Sequence, residues 1–206
     1  MKRTLLTLGL LLGLTLPALS QPVPQVGVTF GYVPKATYSA GFIGLAPAAS
    51  ATDVICLAGS ATKTITLRSI RLSGSAGTLV SLPITLVRRA SADTGGTAAS
   101  TTANPANNIA KRDTTTATAT ATPIAYTANP TIGDSSPTYL DSAELTLPVT
   151  SAGVAIVPLL FDYAKDTVNL LSGPVLRGAA QQVCLNFNAV SVSSGLLNGA
   201  LVWTEE

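Results

Sequence analysis

The sequence of 206 residues contains no histidine and only two cysteines. Without an imidazole to accept the proton, neither a Ser-His-Asp triad nor a Cys-His nucleophile pair can form. Most protein zinc sites are excluded as well, because histidine and cysteine supply most of their ligands. We therefore expect no catalytic residues, no metal site and no cofactor, and we classify the protein as a non-enzyme.

Charged residues are also scarce, at 11% of the chain against about 25% in an average protein. The chain has 12 basic and 10 acidic residues. Two of the basic residues, Lys2 and Arg3, belong to a predicted export signal, so 12 − 2 = 10 basic residues balance 10 acidic ones in the exported chain. With no basic excess to neutralise phosphate groups, we expect no nucleic-acid partner.

The N-terminus has the features of a signal peptide. Lys2 and Arg3 precede an apolar run from Leu5 to Leu16, and Ala18-Leu19-Ser20 supplies the small residues of a cleavage site. The apolar run is shorter than the roughly 20 residues that span a bilayer. The sequence therefore predicts an exported protein (secreted, periplasmic or at the cell surface), cleaved after Ser20 and without a membrane span.

Short runs of alternating apolar residues recur along the chain between Gly, Pro and Ser turns. They occupy residues 26–30, 53–57, 64–72, 82–86, 124–127, 145–149, 154–163, 183–189 and 196–204. Helical periodicity is absent, apart from one short turn expected at residues 165–171. This pattern predicts an all-β chain of about eight strands, arranged as an antiparallel, jelly-roll-like β-sandwich.

Composition divides the chain into three regions. We assign residues 1–20 to the signal peptide, 21–50 to a Pro/Gly-rich N-terminal arm and 51–206 to the β-sandwich domain. A Ser/Thr/Ala-rich insertion at residues 91–122 lacks periodicity, which is typical of a functional or disordered segment. Its Thr–Ala alternation from Thr116 to Thr122 is also compatible with a weak edge ribbon.

One strand organises the predicted sandwich. In residues 181–189, Val183, Leu185 and Phe187 share one face because side chains alternate along a strand. Cys184 therefore projects to the opposite face. We expect the apolar side to face the core.

The second cysteine, Cys56, lies in the apolar run 53–57, where we expect it to share a face with Val54. A disulfide between Cys56 and Cys184 is favoured in an exported protein, with two separate buried thiols as the alternative. The bond would close a long loop, worth roughly 4–5 kcal/mol in the chain-entropy model. It predicts that the two strands are neighbours in one sheet and that the bond lies on the face away from the core.

Asp93-Thr94-Gly95 matches the short motif of aspartic proteases, in which two carboxylates about 3 Å apart share a proton. The motif also needs an apolar strand leading into it, whereas the polar residues 88–92 precede it here. We interpret it as a polar turn. An aspartyl enzyme would be revealed by acid proteolysis that Asp93→Ala abolishes.

The sequence also contains candidate residues for a calcium site and for a sugar-binding site. Asp162 with Asp166, or Asp141 with Glu144, could contribute to a calcium site, although solvated loop carboxylates are the simpler interpretation. A sugar-stacking platform would need exposed aromatic side chains, although at 5% aromatics core or interface positions are the simpler interpretation. The candidates for it are Tyr126, Tyr139, Tyr163 and Trp203.

Residues 125–131 (AYTANPT) and 176–182 (LRGAAQQ) resemble segments of uncharacterised β-rich proteins encoded by tailed phages and prophages. The resemblance extends over residues 53–206. It implies a virion structural component and assigns no functional residues. The export signal is a departure from it, because virion proteins normally assemble in the cytoplasm.

These observations lead to one main functional hypothesis. It is a non-enzymatic structural or interaction protein, an exported β-sandwich that self-associates or docks on a surface or virion-like assembly. The alternative is a secreted carbohydrate-binding β-sandwich module.

Overall fold

The computed structural model describes residues 35–150, 157–163 and 173–206. The predicted signal peptide, most of the arm and the turn expected at 165–171 lie outside these residues. The described part contains twelve strands, eight of them with five residues or more, and two short 3₁₀ turns. None of its residues form a helix long and apolar enough to span a membrane. The prediction of an all-β sandwich is confirmed.

In chain order the strands are β1 (Ala36–Leu45), β2 (Asp53–Ala58), β3 (Ile65–Ser75), β4 (Val80–Arg89), β5 (Thr97–Ala98), β6 (Ile109–Lys111), β7 (Thr122–Ala128), β8 (Thr138–Leu147), β9 (Leu159–Asp162), β10 (Val175–Leu176), β11 (Gln182–Asn186) and β12 (Leu196–Glu205). Sheet one has the order β10–β3–β12–β1–β6, and β9 also pairs with β3. Sheet two has the order β5–β7–β2–β11–β4–β8.

The pairing of the strands is nested. β1 pairs with β12, β2 with β11, β3 with both β9 and β10, and β4 with β8, all antiparallel. The chain therefore runs out along one set of strands and returns along their partners in reverse order. Successive strands β1, β2, β3 and β4 alternate between the two sheets.

The main core lies between the inner faces of the two sheets. Trp203 and Tyr38 stand opposite each other on β12 and β1, with ring centroids 5.8 Å apart and stacked planes. Val183, Leu185 and Phe187 belong to the same cluster, as their shared face predicted. Each fully buried large apolar side chain contributes roughly 1.5–3 kcal/mol, so this cluster dominates the stability of the fold.

Strand β1 lies inside the residues assigned from the sequence to the N-terminal arm. It pairs with β12 on one side and with β6 on the other, so the sandwich begins before residue 51. Its inward positions alternate, but alanine fills two of them, at Ala36 and Ala40. Gly41 and Gly44 interrupt the pattern further. The apolar alternation was therefore too weak to predict a strand.

The insertion at residues 91–122 connects the two sheets along one side of the sandwich. It contains β5, which pairs with β7, and β6, which pairs with β1. Residues 116–121, where the Thr–Ala alternation was compatible with an edge ribbon, form no strand. Two 3₁₀ turns, Thr101–Ala103 and Pro105–Asn108, lie between them. The hydroxyl of Tyr38 donates to the Ala117 carbonyl at 2.9 Å.

The end of this insertion is held by a buried carboxylate. Glu205 accepts hydrogen bonds from the backbone N–H groups of Thr120 and Ala121, from the Thr120 hydroxyl and from Trp203 Nε1, at 2.8–3.0 Å. Burial alone would raise the pKa of Glu205, but these donors outweigh it and hold the pKa below its ordinary value. The tract is therefore anchored to the last strand.

Candidate functional site

A β-bulge on β2 sets the position of Asp53, the first charged residue of the candidate site. Leu185 pairs with Ile55 and Asn186 with Asp53, so Val54 is the extra residue on β2. Val54 packs into the main core. The prediction that it shares a face with Cys56 is therefore wrong. The same bulge turns Asp53 to the outer face of sheet two, beside Cys56.

Cys56 and Cys184 stand directly opposite each other on β2 and β11 and form a disulfide, with their Cα atoms 4.1 Å apart. The prediction of neighbouring strands is confirmed. With Val87, Tyr126 and Ile124 the two cysteines form a small second hydrophobic cluster, separate from the main core. The bond joins residues 128 apart, which is worth about 5 kcal/mol in the chain-entropy model.

Next to the disulfide lies a set of buried ionic side chains, Asp53, Asp93 and Arg89, here called the charged cluster. Arg89 Nε and Nη2 both donate to the Asp53 carboxylate, the second at 2.8 Å, and Arg89 Nε lies 3.7 Å from Asp93 Oδ1. Asn186 Nδ2 adds a 2.5 Å bond to Asp53 Oδ1. The Arg89 side chain is 3% exposed and both aspartate side chains are 0% exposed.

The three charges do not balance when both carboxylates are ionised, because two negative groups face one positive group. Burial raises the pKa of Asp93 to about 6, and the adjoining Asp53 carboxyl adds to the rise, against the effects of Gly133 N–H and Arg89. Burial disfavours the charge of Arg89, but its bonds to Asp53 outweigh this and raise its pKa. Protonation of Asp93 therefore leaves Asp53 and Arg89 as a balanced ion pair, and ionisation of Asp93 near pH 6 adds one negative charge to the charged cluster.

Two loop segments, residues 90–96 and 129–134, cover the charged cluster and are here called the lid. Their backbones pair at Thr94 and Thr131, whose N–H groups each donate to the other's carbonyl at 3.0 and 2.7 Å. Gly133 is packed so closely that a Cβ there would lie 2.1 Å from the Ala92 carbonyl oxygen. Its N–H donates to Asp93 Oδ1 at 3.1 Å. The two segments are thus fastened to each other.

The lid is also fastened to sheet two. Arg89 Nη1 donates to the Asp134 carbonyl at 2.6 Å, and the Asp93 N–H donates to Gln182 Oε1 at 3.0 Å. Asn129 bonds the segment before β2 with both ends of its amide, accepting from Thr52 N–H and donating to the Ser50 carbonyl. Asn129 and Gln182 therefore tie the lid to the segment before β2 and to β11.

A metal site is not built by this arrangement while the disulfide is intact. Oxygens of Asp53 and Asp93 and the sulfurs of Cys56 and Cys184 all lie within 4.8 Å of one another. The two sulfurs are bonded to each other, however, and the Asp53 oxygens already accept hydrogen bonds from Arg89. The donor atoms a cation would need are therefore engaged.

The structure brings Asp93 beside a second carboxylate, Asp53, which the sequence did not reveal. An aspartic-protease dyad must face substrate, whereas these side chains are sealed under the lid. A cavity of about 310 Å³ is lined by Arg89, Asn186 and Tyr139, among others, and neither aspartate lines it. The sequence signals for the pair were the Asp93-Thr94-Gly95 motif and an aspartate, Asp53, at the start of an apolar strand.

Among the described residues, the calcium candidates Asp141 and Glu144 have separate hydrogen-bond partners. Asp141 accepts the Tyr163 hydroxyl at 3.1 Å and Glu144 accepts the Ser81 hydroxyl, while Asp166 lies outside the described residues. The aromatic side chains are also dispersed. Their exposures are 0% for Trp203, 5% for Tyr126 and 69% for Tyr139, with Tyr163 half-buried. The stacking platform considered from the sequence is therefore not formed.

The outer face of sheet one, here called the sheet-one face, has a different character. A shallow groove of about 720 Å³ crosses it, lined by Gly41, Ala200, Arg71 and Asn198, among others. Three large apolar side chains are exposed there. They are Ile43 at 69%, Leu160 at 48% and Leu196 at 47%.

Comparisons of the chain with protein-family models, with curated proteins and with solved structures found no match. The two sheets differ. The lid covers the charged cluster and the disulfide on sheet two, and the sheet-one face is open.

Proposed function

We propose that the protein is a non-enzymatic structural module, an exported β-sandwich that self-associates through the sheet-one face. The observation that carries this proposal is the exposure of Ile43, Leu160 and Leu196 on one sheet face. Val157, next to the groove residue Pro158, is a further exposed apolar side chain, at 79%. Exposed apolar side chains concentrated on one surface are typical of interaction sites.

The sheet-one face is also flat enough to meet a second copy. Leu160, Arg71, Ala200 and Gly41 lie in one register row across four strands, and the two small residues, Ala200 and Gly41, are adjacent on β12 and β1. The six strands of sheet one contain 40 residues. At ~3.3 Å per residue and ~4.8 Å between strands they give a face of about 630 Å². This is at the lower end of the area that each partner buries in a standard protein interface.

The charge balance favours a second copy as the occupant. With 10 basic and 10 acidic residues after removal of the predicted signal peptide, two copies carry no net charge that would keep them apart. Net charge near zero promotes association of like molecules. Net charge therefore causes no repulsion between two copies that would oppose the proposed contact.

We also propose that the sandwich is a jelly roll. The nested pairing of β1 with β12, β2 with β11, β3 with β9 and β10, and β4 with β8 supports this, because a jelly roll is a long hairpin wound into two sheets. Jelly rolls occur in viral capsid and lectin domains, which agrees with the virion-type resemblance of residues 125–131 and 176–182. The fold by itself does not decide between assembly and ligand binding.

The sealed state of the charged cluster supports a non-enzymatic role. Catalytic carboxylates need a substrate within hydrogen-bond reach. Asp53 and Asp93 instead contact Arg89, Asn186 and the lid. We assign the cluster to holding the lid.

The experiment for self-association is light scattering on the purified protein at micromolar concentrations. We expect a mass that rises towards twice the monomer with concentration, and a monomer for Ala200→Arg, which puts a long charged side chain in the middle of the sheet-one face. Ser142→Arg, on the exposed strand β8, is the matched control and should associate like the wild type. A wild-type protein that stays monomeric across this range would overturn the proposal.

Glycan binding is the second candidate function. The groove on the sheet-one face offers polar groups on Arg71, Ser73, Asn108 and Asn198, which suit the hydroxyl groups of a sugar. A glycan array with and without calcium tests it. Binding that Asn198→Ala abolishes would support this function, and the absence of any binding in both conditions would discard it.

A further inference from the structure

We propose that the charged cluster is a pH-sensitive latch, which holds the lid over the Cys56–Cys184 disulfide more tightly in acid than at neutral pH. The inference concerns sheet two and does not depend on self-association through the sheet-one face. It rests on three features. These are the seal over the disulfide, the position of Asp93 within that seal and the charges around Asp93.

The disulfide is completely covered, since Cys56 and Cys184 are both 0% exposed. Asp93 belongs to the lid and is also part of the charged cluster. Its Oδ2 lies 3.8 Å from Cys56 Sγ, its Oδ1 accepts Gly133 N–H, and its own N–H donates to Gln182. The lid cannot lift from the disulfide unless Asp93 leaves the charged cluster.

The charged and titratable groups that face Asp93 come from several elements. Asp53 faces it from β2 and Arg89 from β4, and these two form the buried ion pair. Backbone N–H groups hold the pKa of Asp134, within the lid, below its ordinary value, so this group stays ionised. Burial raises the pKa of Tyr126 on β7, so its phenol stays neutral. Asp93 is therefore the group around the latch whose charge changes near neutral pH.

The sign of the effect follows from the two states of Asp93. Its pKa is about 6 with the lid closed, against 3.8 when the carboxyl reaches water. The proton is therefore bound more tightly in the closed state, and protonation favours closure. This stabilisation is complete below pH 3.8 and is lost as the pH rises through 6. Between pH 5 and pH 7.5 the open fraction should rise about tenfold.

The test measures how fast the disulfide is reduced by tris(2-carboxyethyl)phosphine at pH 5 and at pH 7.5. When the lid opens and closes faster than the disulfide is reduced, and the open state is rare, the reduction rate is proportional to the open fraction. The wild type is compared with Asp93→Asn, which keeps the shape of the protonated carboxyl but cannot ionise. The ratio of the two rates at each pH cancels the pH dependence of the reductant. Asp113→Asn removes an exposed carboxylate outside the lid and is the matched control.

We expect the ratio of wild-type to Asp93→Asn rates to be about ten times larger at pH 7.5 than at pH 5. Asp113→Asn should behave like the wild type. Asn129→Ala removes hydrogen bonds of the lid that do not depend on a titrating group. It should raise the reduction rate at both pH values and keep the tenfold change in the ratio to the Asp93→Asn rate. A ratio that is unchanged between the two pH values, or a pH effect lost in Asn129→Ala, would overturn the latch.

A second measurement covers the case in which Asp93→Asn fails to fold. Hydrogen exchange of the Gly133 amide, which donates to Asp93, reports lid opening in the wild-type protein itself. After correction for the intrinsic exchange rate, its protection should fall about tenfold from pH 5 to pH 7.5. Equal protection at both pH values would contradict the proposal.

Discussion

Replacement of Glu205 tests how the insertion at residues 91–122 is held. The buried carboxylate of Glu205 accepts hydrogen bonds from four donors, and a hydrogen bond to a charged group contributes roughly 1.5–3 kcal/mol. Glu205→Gln keeps one acceptor oxygen but removes the charge, so we expect a loss of about 2 kcal/mol in unfolding free energy. Glu205→Ala also leaves the N–H groups of Ala121 and Trp203 without a partner and should cost about 4 kcal/mol.

The assay is urea unfolding followed by circular dichroism and by the fluorescence of Trp203. The depressed pKa of Glu205 fixes the sign of the pH dependence. Its stabilisation is present above the ordinary value of 4.5 and is lost as the pH falls through the lower folded-state value. The difference between wild type and Glu205→Gln should therefore shrink in acid, opposite to the trend for Asp93.

The neighbouring carboxylate provides the control. Glu206 pairs with Lys35 at the surface, where the two side chains are 45% and 57% exposed. Glu206→Gln should change stability by less than about 1 kcal/mol. If Glu205→Gln were no more costly than Glu206→Gln at neutral pH, the anchoring argument would be refuted.

Two further substitutions test the lid and the disulfide. Replacing Cys56 and Cys184 together by alanine should lower the unfolding free energy by up to about 5 kcal/mol in denaturant titrations, because it frees a loop of 128 residues. Gly133→Ala should destabilise the protein by more than 1 kcal/mol in the same titration, since its Cβ would lie 2.1 Å from a carbonyl oxygen. Gly41→Ala, whose Cβ would meet only one atom at 3.8 Å, is the control and should be close to neutral.

The fold was predictable where apolar side chains alternate strongly. Val183, Leu185 and Phe187 lie in the core, and the cysteines of neighbouring strands are bonded as expected. Strand β1 was not predicted, because alanine and glycine give no hydrophobic contrast. Pairing with β12 and β6 makes it a strand, and those partners lie far away in sequence.

The site was much less predictable than the fold. Asp53, Arg89 and Asp93 are separated by 36 and 4 residues, and no local pattern indicates that they meet. Their contact depends on a β-bulge at Val54 that turns Asp53 to the outer face. The Asp93-Thr94-Gly95 motif was visible in the sequence, but the burial of the Asp93 side chain depends on the pairing of Thr94 with Thr131.

The central proposal is that the protein self-associates through the sheet-one face. Hydroxyl-radical footprinting of dilute and concentrated protein tests it most directly, because the reagent labels exposed apolar and aromatic side chains. The account predicts that Ile43, Leu160 and Leu196 become protected at high concentration, while Leu79 and Tyr139, both 69% exposed elsewhere, do not change. Protection of Leu79 or Tyr139 with no change at the other three would contradict it.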